Sequence, residues 1–185
     1  DEPFVDVVLD AAGQKGTGVW ATQTALELGV AVPAIAEATF ARAASSSTAI
    51  RAAVRGADMN AGAGGSGFKS DEDRTAFIES VKQALYGSKI AAYAQGFDEI
   101  STASTKNDWN VDLGAMARIW RGGCIIRARF LDDITRAYQE DPGLASLLTA
   151  PVFTRALETA LPSWRKVVAT SALAGVPAPA FASSL

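Results

Sequence analysis

Helical periodicity constrains this chain more than any other feature. From Asp71 to about Lys106, the residues Phe77, Ile78, Val81, Leu85, Ile90, Tyr93, Phe97 and Ile100 fall at helical spacing. That pattern predicts one long helix, with Ser70 or Asp71 as its N-cap and acids in its first turn. From Ala84 to Phe97 the apolar stripe is very wide. A helix with such a stripe is buried on most sides, at the centre of a helical domain or of a dimer. Gly87 and Gly96 each cost about 1 kcal/mol of helix propensity against alanine. Close packing against another helix would explain both.

The rest of the chain reads the same way. An apolar helix runs from Val19-Trp20 to Leu28, and Gly29 stops it. Pro33 suits the first turn of the next helix, which the run Ser45 to Ser47 kinks or splits. Asp112 caps a short helix ending near Arg121, and Gly122-Gly123 breaks it. Ile125 to Tyr138 resumes the helical period until Asp141-Pro142. Val152 to Leu173 is a further helix, with a kink or boundary expected near Pro162. No stretch alternates as a strand would. The expectation is an all-α fold, a single domain over 1–185 of about six or seven helices with one long central helix.

Composition excludes several function classes. The 185 residues are 49% hydrophobic and 20% charged, so the chain is globular. A net charge of -3 leaves no basic footprint for nucleic acid. No apolar run reaches membrane-spanning length, and the start is not a signal peptide. The single cysteine, Cys124, makes no internal disulfide and favours a reducing compartment. There is no histidine, which removes the commonest general base and makes a zinc site unexpected. A start at Asp1 and an end at "PAFASSL" read as a segment of a longer protein.

The stretch "GQKGTGVW", residues 13 to 20, is the sharpest local motif. A glycine-rich turn opening a helix leaves backbone N–H groups unpaired, and the helix dipole there favours an anion. Lys15 adds a charge and Thr17 a hydroxyl. The Walker order is absent. A plain structural cap and an anion cradle both fit. Arg42, in "FARAASSS", fits either a snorkelling surface residue or a phosphate clamp. Arg121 and Arg127 flank the Gly-Gly break and suit structural ion pairs with acids such as Asp132. Cys124 reads as a small buried apolar residue, and Trp109, Trp120 and Trp164 as core or interface anchors. Glu37, Asp98, Glu99, Asp132 and Asp133 show no acid/base pairing and read mostly as solvated helix faces. Gly62-x-Gly64-x-x-Gly67 matches a dinucleotide fingerprint in letters only: no buried strand precedes it and no helix leaves it, so it reads as a surface linker.

The stretch "VLDAAGQKGTGVW" closely resembles the signature of the decarboxylating 6-phosphogluconate dehydrogenases, with Asp10, Gln14-Lys15-Gly16-Thr17-Gly18 and Trp20 in place. Further matches follow in order: "FARAASS" at 40–46, "ALYGSKIAAYAQGF" at 84–97, "WRGGCIIRARFL" at 120–131 and "SWRKVVATSALAGVPAPAF" at 163–181. The resemblance covers nearly the whole chain. It implies the family's C-terminal helical domain, with the N-terminal Rossmann domain and the C-terminal tail absent. It implies that Lys15, Thr17 and Arg42 hold the phosphate of 6-phosphogluconate. It places NADP mainly on the absent N-terminal domain, together with the lysine and glutamate that act as base and acid, so no catalytic or cofactor-binding residue and no metal is expected here. It implies a cytoplasmic homodimer of the pentose phosphate pathway that turns 6-phosphogluconate and NADP into ribulose 5-phosphate, CO₂ and NADPH. The segment alone is expected to be inactive. The alternatives are a related β-hydroxyacid dehydrogenase acting on a phosphate-free substrate, and a non-catalytic helical dimerisation module.

Overall fold

A computed structural model describes residues 2–57 and 67–185. The linker at Gly62 to Gly67 lies outside the described residues except for Gly67 itself. Among the described residues the elements are α1 (Phe4–Val7), α2 (Thr17–Leu28), α3 (Pro33–Ser46), α4 (Thr48–Gly56), α5 (Asp71–Lys106), α6 (Leu113–Ile119), α7 (Leu131–Glu140), a 3₁₀ turn (Leu147–Thr149), α8 (Pro151–Leu173) and α9 (Pro179–Ser184). No strand occurs among them. The all-α architecture is therefore as expected. The split at Ser47 and the short helices α1 and α9 raise the number above the six or seven read from periodicity.

The local signals act where they are written. Ser70 accepts from the Asp73 N–H at 3.1 Å and starts α5. Asp112 accepts from the Ala115 N–H at 2.8 Å and starts α6. Gly29 ends α2 at φ +73, a left-handed conformation that favours glycine. Pro33 opens α3 in its first turn.

Helix α5 is the axis of the molecule. Helix α8 packs along it; α6 and the 3₁₀ turn contact it, α7 packs on α6, and α2, α3 and α9 also reach it. One apolar cluster joins Ile90, Ala94 and Phe97 to Leu131, Ile134, Leu147 and Phe153. A second joins Ala84 and Ala91 to Trp164 and Val167. The Trp164 indole N–H donates to the Phe181 carbonyl at 2.9 Å and so ties α9 to α8.

Several expectations need correction. The segment after the Gly-Gly break is not helical from Ile125; α7 starts at Leu131, and Ile125 is fully exposed. Gly123 at φ +70 turns the chain, and Arg121 holds that turn by donating to the Ala128 carbonyl at 3.1 Å and to Asp132 at 2.8 Å. Pro162 makes no boundary, because α8 runs through it. Neighbouring packing holds that helix, so the missing N–H is tolerated. Gly87 is tightly packed, but a Cβ on Gly96 would meet only Ile35 Cδ1 at 4.0 Å. Trp164 is a core anchor and Trp120 packs on the core, whereas Trp109 is 62% exposed. Cys124 is half-buried, and its thiol donates to the Trp120 carbonyl.

Candidate functional site

Two side chains of the glycine motif converge with Arg42. Lys15, Thr17 and Arg42 line one cleft of about 300 Å³, with Gln14, Gly18, Ile35, Ala38, Thr39 and Ala92 around them. The loop before α2 supplies Lys15, the first turn of α2 supplies Thr17, α3 supplies Arg42, and α5 supplies the floor through Ala92.

Glycine makes this meeting possible. Gly16 precedes α2 at φ +102, a backbone state that L side chains rarely adopt. Gly18 lets α2 approach α3 closely, because a Cβ there would stand 2.8 Å from Thr39 Oγ1. The glycine motif is thus built for a sharp turn and a close helix pair, and both bring Lys15 and Arg42 to the same opening.

The site is electropositive by construction. No side chain caps the N-terminus of α2, and no acid sits in its first turn. Among the described residues neither Lys15 nor Arg42 is within ion-pair distance of a carboxylate. Arg42 donates to the Gly13 carbonyl. A guanidinium has five donors, so most of them stay available. Two cations without a carboxylate partner among the described residues, a hydroxyl and an uncapped helix start give the cleft the chemistry to attract an anion.

A larger cavity of about 500 Å³ lies between α7 and the start of α8. Arg136 and Arg155 line it, but so do Asp133, Glu140 and Asp141, and Arg136 pairs with Asp133. Its three carboxylates outnumber its two arginines, so it is no seat for an anion. Among the described residues no cluster of three His, Cys, Asp or Glu side chains could hold a metal, and no helix is long and apolar enough to cross a membrane.

The family model of the 6-phosphogluconate dehydrogenase C-terminal domain matches residues 1–185. The chain belongs to that family. The decarboxylating 6-phosphogluconate dehydrogenase of Synechococcus elongatus is 49% identical over 184 residues, covering 100% of this chain and 38% of the relative. That of Schizosaccharomyces pombe is 45% identical over 186 residues, covering 100% of this chain and 36% of the relative. Among solved structures, the 6-phosphogluconate dehydrogenase of Plasmodium falciparum superposes with a TM-score of 0.89 at 36% identity, over 98% of this chain and 38% of that one. That enzyme was solved in its apo form, with its cofactor NADP+ and with its substrate 6-phosphogluconate. The chain spans little more than a third of the length of these relatives.

Sequence reasoning assigned no role to several other residues of this 6-phosphogluconate dehydrogenase-type domain, although Asp10 stood in the signature itself. Asp10, Ser45, Ser46 and Arg51 tie the Lys15 loop to α3 and α4. The serine run was legible only as a helix break. An acid and an arginine 41 positions apart carry no local spacing signal. Gln95 of α5 accepts from the Ala34 N–H at 2.9 Å and holds the start of α3. Asp98, read as solvated, is half-buried, and burial pushes its carboxyl above the usual carboxylate range while a Ser146 hydrogen bond opposes the shift.

Proposed function

We propose that this chain is the substrate-anchoring helical part of an NADP-dependent, decarboxylating 6-phosphogluconate dehydrogenase, and that Lys15, Thr17 and Arg42 hold the substrate phosphate. What supports the reading is one observation: these side chains line a single cleft at an uncapped helix start, with no carboxylate paired to either cation among the described residues. A phosphate seated there meets the end of the helix dipole, a mobile ammonium and a planar fork of N–H donors.

The parent reaction removes a hydride from C3 of 6-phosphogluconate, releases C1 as CO₂ and protonates the resulting enediol to give ribulose 5-phosphate. This chain's part is binding and orientation. A phosphate held at one end of the sugar acid fixes where the distant reacting carbon lies, and that binding energy lowers the barrier without any proton transfer at this site. A dinucleotide pyrophosphate needs a strand, a glycine turn and a helix. No strand occurs among the described residues, and on this reading NADP is assigned mainly to the N-terminal part of the parent enzyme. Trp20, Leu26, Phe40 and Ile50 are exposed by 60% or more, which suits coverage by a second subunit in a homodimer.

The test is kinetic. The full-length enzyme should reduce NADP with 6-phosphogluconate and not with phosphate-free 3-hydroxyisobutyrate. Lys15→Ala should raise KM for 6-phosphogluconate by about ten- to a hundredfold, the loss of one charge-assisted contact. Unchanged kinetics in Lys15→Ala and Arg42→Ala would remove both residues from the site.

A further inference from the structure

Nothing apolar holds the loop that presents Lys15 and Thr17. From Glu2 to Thr17 no residue is buried. Burial therefore gives the loop no fixed position, and a polar strap does so instead. Arg51 donates to the Asp10 carboxylate at 2.5 Å and, through its other terminal nitrogen, to the Asp10 carbonyl at 2.9 Å. The same nitrogen reaches the Ser45 carbonyl at 2.9 Å. The Ala12 N–H donates to Ser45 Oγ at 3.0 Å, and Ser46 Oγ donates to the Ala12 carbonyl at 3.0 Å. Arg42 then takes the Gly13 carbonyl. The strap ends two residues before Lys15.

The helix break explains why this strap exists. Helix α3 ends at Ser46 and α4 starts at Thr48. The Ser45 carbonyl is therefore left to a side chain, and Arg51, on the first turn of α4, takes it together with Asp10. Exposed ion pairs add little to global stability, and in this one Asp10 is exposed and Arg51 half-buried. Its effect is directional: hydrogen bonds fix angles as well as distances, and they fix them at the base of the cleft.

We propose that Arg51 and Asp10 are positioning residues for the phosphate seat: they hold the loop from residue 10 to 13 on the α3–α4 junction so that Lys15 and Thr17 meet Arg42. This rests on the reading that Lys15, Thr17 and Arg42 bind the phosphate of 6-phosphogluconate. A loop free to drift would loosen substrate binding and leave the chemistry of the bound complex largely intact.

The experiment uses full-length enzyme carrying Arg51→Gln, Asp10→Asn, both together, or Lys15→Ala. Four quantities are read: kcat, KM for 6-phosphogluconate, KM for NADP, and the inhibition constant of inorganic phosphate. Arg51→Gln should raise KM for 6-phosphogluconate and the phosphate constant by about tenfold, with kcat and KM for NADP within about twofold. The double variant should be no worse than Arg51→Gln alone, because the two residues act as one unit. A general structural defect would move kcat and KM for NADP as well, and that pattern overturns the proposal. So does an unchanged KM for 6-phosphogluconate in Arg51→Gln while Lys15→Ala raises it. If Lys15→Ala itself changes nothing, the phosphate reading fails and takes this inference with it. Should Arg51→Gln not fold, Asp10→Asn decides: it is isosteric and exposed, and a raised KM supports the strap while an unchanged one sinks it.

Discussion

Gly87 lies directly under the ring of Trp164: a Cβ built on it would stand 2.9 Å from Cε3 and 3.2 Å from Cζ3. Ala160 Cβ would be 3.2 Å away. Trp164 is 2% exposed and has no room to retreat. The α5–α8 contact is thus set by the absence of one methyl group. With a fully buried ring 2.9 Å from the new methyl, Gly87→Ala should overpack this contact by about 2–3 kcal/mol, more than the helix-propensity gain of about 1 kcal/mol returns. Its Tm should fall. Gly96→Ala is the control, since the added methyl meets only Ile35 Cδ1 at 4.0 Å; its Tm should rise. Thermal unfolding of both variants checks the pair, and a stabilised Gly87→Ala would show that α5 and α8 are not in this contact.

Arg42 serves the loop and the cleft at once, donating to the Gly13 carbonyl while lining the cleft that also holds Lys15 and Thr17. Arg42→Lys keeps the charge but loses the fork that allows both contacts. It should raise KM for 6-phosphogluconate by about tenfold or more, close to the effect of Arg42→Ala. A variant with wild-type KM would mean that charge alone suffices.

Asp98 gives the fold a pH dependence of defined sign. Burial raises its folded carboxyl above the ordinary value of 3.8, and the Ser146 hydroxyl, donating at 3.3 Å, only partly opposes this. The folded state therefore binds the proton more tightly than the unfolded one. This contribution favours folding below pH 3.8 and is lost as pH rises from there through the raised folded value. Asp98→Asn should remove that loss and flatten stability against pH in this window. Urea midpoints of both proteins across pH 3.5 to 7, an interval of about three to four units around the carboxylate range, make the measurement. Asp10 runs the opposite way: the Arg51 hydrogen bond lowers its pKa, so its small contribution disappears as pH falls through the folded value.

The bond from the Trp164 indole to the Phe181 carbonyl holds α9 beside α3, the helix that carries Arg42. Trp164→Phe removes the donor, leaves that carbonyl without its partner and opens a cavity. It should cost about 2–4 kcal/mol. It should also speed proteolysis between Gly175 and Ala178, where the chain turns into α9. Cleavage no faster than wild type would mean that α9 is held by its other contacts.

Most of the helices follow from signals that are local in the chain. Ser70 and Asp112 cap, Gly29 stops and Pro33 starts within a turn of where each acts. The glycine motif was legible as a turn opening a helix for the same reason, since turn, helix start, lysine and threonine are neighbours in the chain, but a plain cap and an anion cradle both fitted it. Tertiary structure decided the rest. It kept α8 continuous through Pro162 and left 125–130 as turns, since neighbours outweighed local preference. It gave Gly87 a packed role and Gly96 none. It also joined Asp10 to Arg51, and Ala12 to Ser45 and Ser46, across 33 to 41 residues. Hydrogen bonds over such separations depend on how α3 and α4 lie against the loop, and no periodicity in the sequence encodes that placement.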